Sequence, residues 1–294
     1  MENKHRGWQR ILLITIPYIF IIGIFQLIGA LISGIDLTHY ESDQTSIQKL
    51  TLSFFNFLGT FFVLWFFMKF LDKERFIKLG FEIKDRFKEF NVGIGIGLII
   101  MSIGYLLLQS LGEITFQRIN FDPKETIISV LLFIIVAVVE EALLRGYVLR
   151  NLMISFNKYV ALIVSSILFS LMHGFNPNID LFSLFNIFLA GILLGLSYIY
   201  TKNLWFPIAL HLSWNFFQTL FGFNVSGQDT YSLIEFSLNE KNLLNGGAFG
   251  FEGSILSVIS MIITIIGIWI YYNREKIKHN IAYKKLLIYA KQKN

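Results

Sequence analysis

Long apolar runs alternate with short polar stretches along nearly the whole chain, and their lengths decide the fold class. A helix that crosses a bilayer takes about 20 predominantly apolar residues. Eight stretches meet or approach that length: Ile11–Ile35, Leu50–Met68, Val92–Leu111, Thr126–Leu149, Tyr159–Met172, Leu181–Tyr200, Trp205–Phe223 and Ser254–Tyr272. They predict an all-α, polytopic transmembrane helical bundle of about eight spans, the fifth being the shortest. So much of the chain lies in spans that no separate soluble domain fits, and residues 1–294 read as a single integral membrane domain. Between spans, Asp72–Glu89 interleaves Phe76, Ile77, Leu79, Phe81, Ile83 and Phe87 with charged residues, the pattern of an amphipathic segment on the membrane surface. The tail Lys276–Lys293 has the same character. The polar loop Asn224–Gly253 gathers glycines toward its end and shows no chemistry of its own.

Composition agrees, with 54% hydrophobic and 15% charged residues, outside the soluble globular range. The basic residues then orient the chain, because cytoplasmic segments carry excess Lys and Arg. With the N-terminus inside, Met1–Arg10, Lys69–Phe90, Arg150–Lys158, Thr201–Asn203 and Asn273–Asn294 hold 20 of the 25 basic residues. The expectation is N-in and C-in. Trp8, Trp65, Trp205 and Trp269 fall near the same inner boundary. The net charge of +5 is thus an orientation signal, and basic residues scattered beside acidic ones give no support to a nucleic-acid partner. The chain has no cysteine, which excludes disulfides, thiolate metal sites and a cysteine nucleophile.

The candidate chemistry lies inside the spans. Glu140, Glu141 and Arg145 fall within Thr126–Leu149, while His173 ends the fifth apolar stretch and His211 lies in the seventh. A charge placed in a membrane span costs roughly 2.5–3.5 kcal/mol on insertion scales, so such residues are rare and mark function. Glu141 and Arg145 stand i,i+4 in the favourable order and are expected to pair. Glu140 then has no local counter-ion, the setting in which a carboxylate becomes a general base. Adjacent helical residues point about 100° apart, so Glu140 and Glu141 are not expected to share one partner. Asn215 follows His211 by one turn on the same face. Counting helical rise from a common inner boundary puts Glu140 at about 15 Å, His211 at about 9 Å and His173 at about 21 Å depth, too spread for contact between flat, untilted helices. No HExxH zinc helix, GxGD aspartyl pattern or GxSxG elbow is present. Gly191 and Gly195 form a GxxxG pair that suits close helix packing.

At these residues the chain resembles the CAAX prenyl protease and bacteriocin-processing (CPBP) family of intramembrane endopeptidases. The paired glutamates with an arginine four residues on match Glu140-Glu141-Ala142-Leu143-Leu144-Arg145. Phenylalanine then histidine matches Phe169 and His173, and histidine then asparagine matches His211 and Asn215. The resemblance covers roughly 126–223, the expected catalytic core. It implies peptide hydrolysis by water, with Glu140 as base, His173 holding the water, His211 and Asn215 binding water or the oxyanion, and Glu141 with Arg145 bracing Glu140.

Two chemistries fit that inventory. Zinc could be held by Glu140, His173 and His211, but Glu140 would then be hard to use as base as well, so a metal-free glutamate mechanism suits the residues slightly better. The implied partners are the lipid bilayer and a membrane-embedded or lipid-anchored peptide or protein substrate. Richness in Ile, Lys, Phe and Asn leans toward a bacterial plasma membrane. Two other function classes compete: a non-catalytic bacteriocin-immunity or peptide-sequestering protein on the same scaffold, which has no need of Glu140, and a transporter or proton relay, for which internal repeats are missing.

Overall fold

The computed structural model describes residues 6–37 and 44–292, with side chains described for 7–37 and 44–274. Its helices are α1 (Arg6–Ile32), α2 (Ser46–Phe66), α3 (Phe87–Ser110), α4 (Pro123–Glu141), α5 (Arg150–Ser155), α6 (Lys158–Met172), α7 (Leu181–Thr201), α8 (Trp205–Leu220) and α9 (Ile255–Gln292). A π-helical stretch, Phe67–Asp72, prolongs α2, and a second, Ala142–Leu149, joins α4 to α5. Among the described residues six stretches are long and apolar enough to cross a membrane: Gly7–Ile32, Ser46–Asp72, Phe87–Ser110, Pro123–Ser155, Leu181–Thr201 and Ile255–Arg274. The other two of the eight expected stretches form α6 and α8, helices of only 15 and 16 residues. Leu12, Ile16, Phe20, Ile103, Leu106 and Ile263 are all exposed on the outside of the bundle. An apolar surface of this extent is a liability in water and fits lipid contact.

Small residues set how closely the helices approach. A Cβ on Gly191 would stand 2.8 Å from Ser166 Cβ, and one on Gly195 2.5 Å from Leu162 Cδ1, so the GxxxG pair seats α7 directly on α6. On α3, a Cβ at Gly97 would meet Ser213 Oγ at 2.1 Å. That contact fixes α8, the helix of His211, against α3.

The helix starts are staggered, and the stagger corrects the depth estimate. Leu204, just before α8, reaches the level of Gly146: a Cβ there would lie 3.3 Å from Leu204 Cδ1. Gly146 is six residues beyond Glu140, and His211 is seven residues beyond Leu204 on the neighbouring helix. At 1.5 Å per residue both sit roughly 10 Å from that shared level. α8 therefore starts inside the bundle, level with Gly146. Part of the Asp72–Glu89 stretch fills the space beneath it. Leu79 is fully buried, Gly80 O accepts from Leu204 N at 2.9 Å, and Leu79 O accepts from the Tyr198 hydroxyl at 3.0 Å. The stretch expected to lie flat on the surface is in part a plug, with Phe76 and Phe81 stacked at 5.8 Å. The same expectation for Lys276–Lys293 concerns side chains outside the described residues.

One element departs from the all-helical expectation. β1 (Ile114–Ile119) pairs antiparallel with β2 (Ile234–Leu238), with a bulge between Phe116 and Arg118. Arg118 donates to Glu235 across the ladder at 2.7 and 3.0 Å. This ribbon ties the α3–α4 connection to the loop between α8 and α9.

Candidate active site

Glu140 and Glu141 are the last two residues of α4, directly before the wide π-helical turns of Ala142–Leu149. Such turns recur at functional sites. The two carboxylates have opposite fates. Glu141 is fully buried, and its Oε1 accepts from Arg145 Nη1 at 2.9 Å and meets His211 Nδ1 at 2.9 Å. Arg145, also buried, gives Nη2 to Gly191 O at 3.3 Å and lies 4.3 Å over the Phe169 ring. A buried ion pair is sustained only where further polar partners share the load; here a histidine, a carbonyl and an aromatic face do so. Glu140 side chain is 24% exposed, and its buried Oε2 has no hydrogen-bond partner among the described residues.

Two imidazoles converge on that bare oxygen. His173 Nε2 lies 3.8 Å and His211 Nε2 3.9 Å from Glu140 Oε2. Both distances exceed a direct hydrogen bond, and catalytic contacts before substrate binding are often this loose. His173 Nδ1 donates to Phe169 O at 2.8 Å, which turns Nε2 toward the glutamate. His211 is held likewise, with Nδ1 on Glu141 and Nε2 toward Glu140. The expectation that adjacent glutamates share no partner therefore fails at His211. The reason is the ring itself, which offers one nitrogen to each carboxylate. Phe169 packs its ring 4.7 Å from His173 and 6.3 Å from His211, so one aromatic side chain touches Arg145 and both histidines. Asn215 is buried one turn beyond His211.

These residues line a cavity of ≈ 400 Å³ that includes Glu140, His173, His211 and Asn215. Its mouth is formed by the start of α2 and by the connections α6–α7 and α8–α9, with Lys49, Ser226 and Glu252 on the wall. Glu252 is a site residue that sequence reading missed. It stands alone among glycines in Gly250-Phe251-Glu252-Gly253, with no neighbouring base, and that isolation was its only signal. Burial raises its carboxyl above the ordinary carboxylate value, against the pull of Ser226, His173 and His211.

A tetrahedral zinc site with Zn–ligand bonds of about 2.0–2.1 Å sets its ligand atoms roughly 3.3–3.4 Å apart. The separations of 3.8 and 3.9 Å are wider. No three His, Cys, Asp or Glu groups among the described residues are gathered closely enough to hold a metal ion. What the side chains can perform by themselves is activation of water by a carboxylate.

Glu140, His173 and His211, carried by three helical segments, thus meet at one cavity inside an apolar helical bundle. The matching family is specific: residues 122–217 fit the family model of the type II CAAX prenyl endopeptidases, Rce1-like. That segment, a third of the chain, holds all three motifs, and over it the chain is similar to the CAAX-type membrane proteases, in line with the resemblance read from the motifs. No curated protein and no solved structure matches the chain.

Proposed function

We propose that this protein is an endopeptidase that cleaves membrane-associated peptides or proteins within its bundle by glutamate-activated attack of water, without a metal. The observation that carries the reading is the convergence of His173 Nε2 and His211 Nε2 on the unpaired Glu140 Oε2 inside the cavity. Glu140 takes one proton from a water whose second hydrogen points to His173 Nε2. The water oxygen bonds to the substrate carbonyl carbon, and the carbonyl oxygen takes the negative charge. The Asn215 amide, with His211 beside it, stabilises that oxyanion, the kind of assistance worth most in a water-poor site. Glu140 then hands its proton to the amide nitrogen, the C–N bond breaks, and an amine and a carboxylic acid leave. Glu141, Arg145 and Phe169 touch no reacting atom in this scheme and act as positioning residues. The region 126–223 is the catalytic core, both termini lie on the cytoplasmic side of a bacterial cell membrane, and the cavity mouth faces the opposite side.

The test compares new peptide termini across the membrane proteome of cells making the wild-type protein or Glu140→Gln at equal abundance. Termini that disappear with Glu140→Gln identify the protease and its substrates together. Identical terminus profiles, with the variant still supplying whatever the deletion lacks, point to the peptide-sequestering reading.

A further inference from the structure

The cavity has a second carboxylate. Glu252 comes from the loop between α8 and α9, outside the three motifs and outside the matched segment 122–217. Its position is built. Ser226 donates to Glu252 Oε2 from both its amide, at 3.0 Å, and its hydroxyl, at 2.7 Å. Its backbone carbonyl is gripped by Asn186 Nδ2 of α7 at 2.6 Å. The loop reaches this point through Gly250, whose φ of +99° and whose Cβ position 1.8 Å from Asn224 O admit no side chain. Both side-chain bonds go to one oxygen; Oε1 accepts no hydrogen bond among the described residues.

The charges on the cavity wall are unequal. Its described lining has two acids, Glu140 and Glu252, and a single fixed cation, Lys49 at the mouth. Lys49 Nζ is committed to Asp229 O at 2.6 Å. Glu140 and Glu252 line the same cavity, so a substrate held at Glu140 can extend to Glu252. A cationic donor arriving there favours the ionised carboxylate against the cost of its burial and takes the open oxygen in a charge-assisted hydrogen bond, whereas an anion meets no such donor and opposes that charge.

We infer that Glu252 is a specificity-determining residue that selects substrates with a basic side chain near the scissile bond and disfavours those with a free terminal carboxylate there. The inference rests on the protease reading above for the word substrate, but not for the binding preference itself. It separates two substrate classes. A short tripeptide end released from a lipidated cysteine brings its own carboxylate into the cavity, and Glu252 opposes it. An internal, lysine- or arginine-containing membrane-proximal segment meets a partner.

The experiment uses full-length protein in nanodiscs with Glu140→Gln as the common background, so that bound peptide is not consumed. Three synthetic peptides, identical except for Lys, Gln or Glu at the central position, are titrated against this protein with and without Glu252→Gln. Glutamine keeps an oxygen for Ser226, and the melting temperature checks the fold. The Lys peptide should bind at least about tenfold more tightly than the Glu peptide, and Glu252→Gln should bring the ratio close to one. Glu252→Lys should invert the order. Equal binding of the three peptides, no binding of any, or a preference that survives Glu252→Gln overturns the inference. Hydrolysis of the same peptides by protein retaining Glu140 is scored separately: a preference without hydrolysis defeats the protease reading and leaves the role of Glu252 standing.

Discussion

The deep wall of the cavity and its mouth handle charge in different ways. At and behind the deep wall, Glu141, Arg145 and His211 are buried and interlocked through one oxygen, Glu141 Oε1. At the mouth Glu252 is tied through one oxygen to a serine, and Lys49 to a backbone carbonyl. Glu140 lies between them, near enough to the deep wall to be positioned and open enough to react. A buried network confers rigidity because losing one member strands the others. A partly solvated wall has room to bind something that arrives later. The fold thus separates holding from recognising, and changes in the two regions should differ in size and in what they disturb.

The largest effect is expected at the deep wall. Arg145→Met strands a buried carboxylate and should destabilise the protein by about 3–5 kcal/mol. Unfolding in detergent measures this, and adding Glu141→Gln should recover most of the loss; no recovery would mean that the pair is not the source. Next comes Asn215→Ala, which should lower the cleavage rate by about 10²–10³ with little change in melting temperature. Equal losses in rate and stability would move Asn215 into the structural network. Phe169→Leu removes the aromatic face beneath Arg145 and should cost about 2 kcal/mol, the scale of a desolvated cation–π contact. The smallest effect belongs to the mouth. Ser226→Ala should change stability by only about 0.5–1.5 kcal/mol. A change as large as that of Arg145→Met would abolish the contrast between the two regions.

Much of the deep wall was legible in the sequence because its residues are rare in apolar surroundings. Glu140, Glu141, Arg145, His173 and His211 stand out for the simple reason that charge and imidazole are costly there, and i,i+4 spacing was enough to pair Glu141 with Arg145. Their mutual height was not legible. It depends on α8 starting beside Gly146, above the Leu79 plug, and no local pattern states where a neighbouring helix begins. The amphipathic reading of Asp72–Glu89 found the right apolar residues but the wrong destination for Leu79. The mouth was largely hidden. Glu252 reaches the cavity through glycine-shaped turns, and the β1–β2 pairing joins residues more than 100 positions apart. Ile114–Ile119 is too short to stand out beside spans of 20 residues, and its partner could not be named without the tertiary fold.

The central claim is that Glu140 is the base, and the most direct test is a single-turnover cleavage assay with purified protein and a substrate identified from the terminus comparison. Glu140→Gln should lose about 10²–10⁴-fold in cleavage rate while substrate affinity and melting temperature stay at wild-type values. Cleavage within tenfold of wild type, in a variant that is folded and binds substrate, would contradict the account.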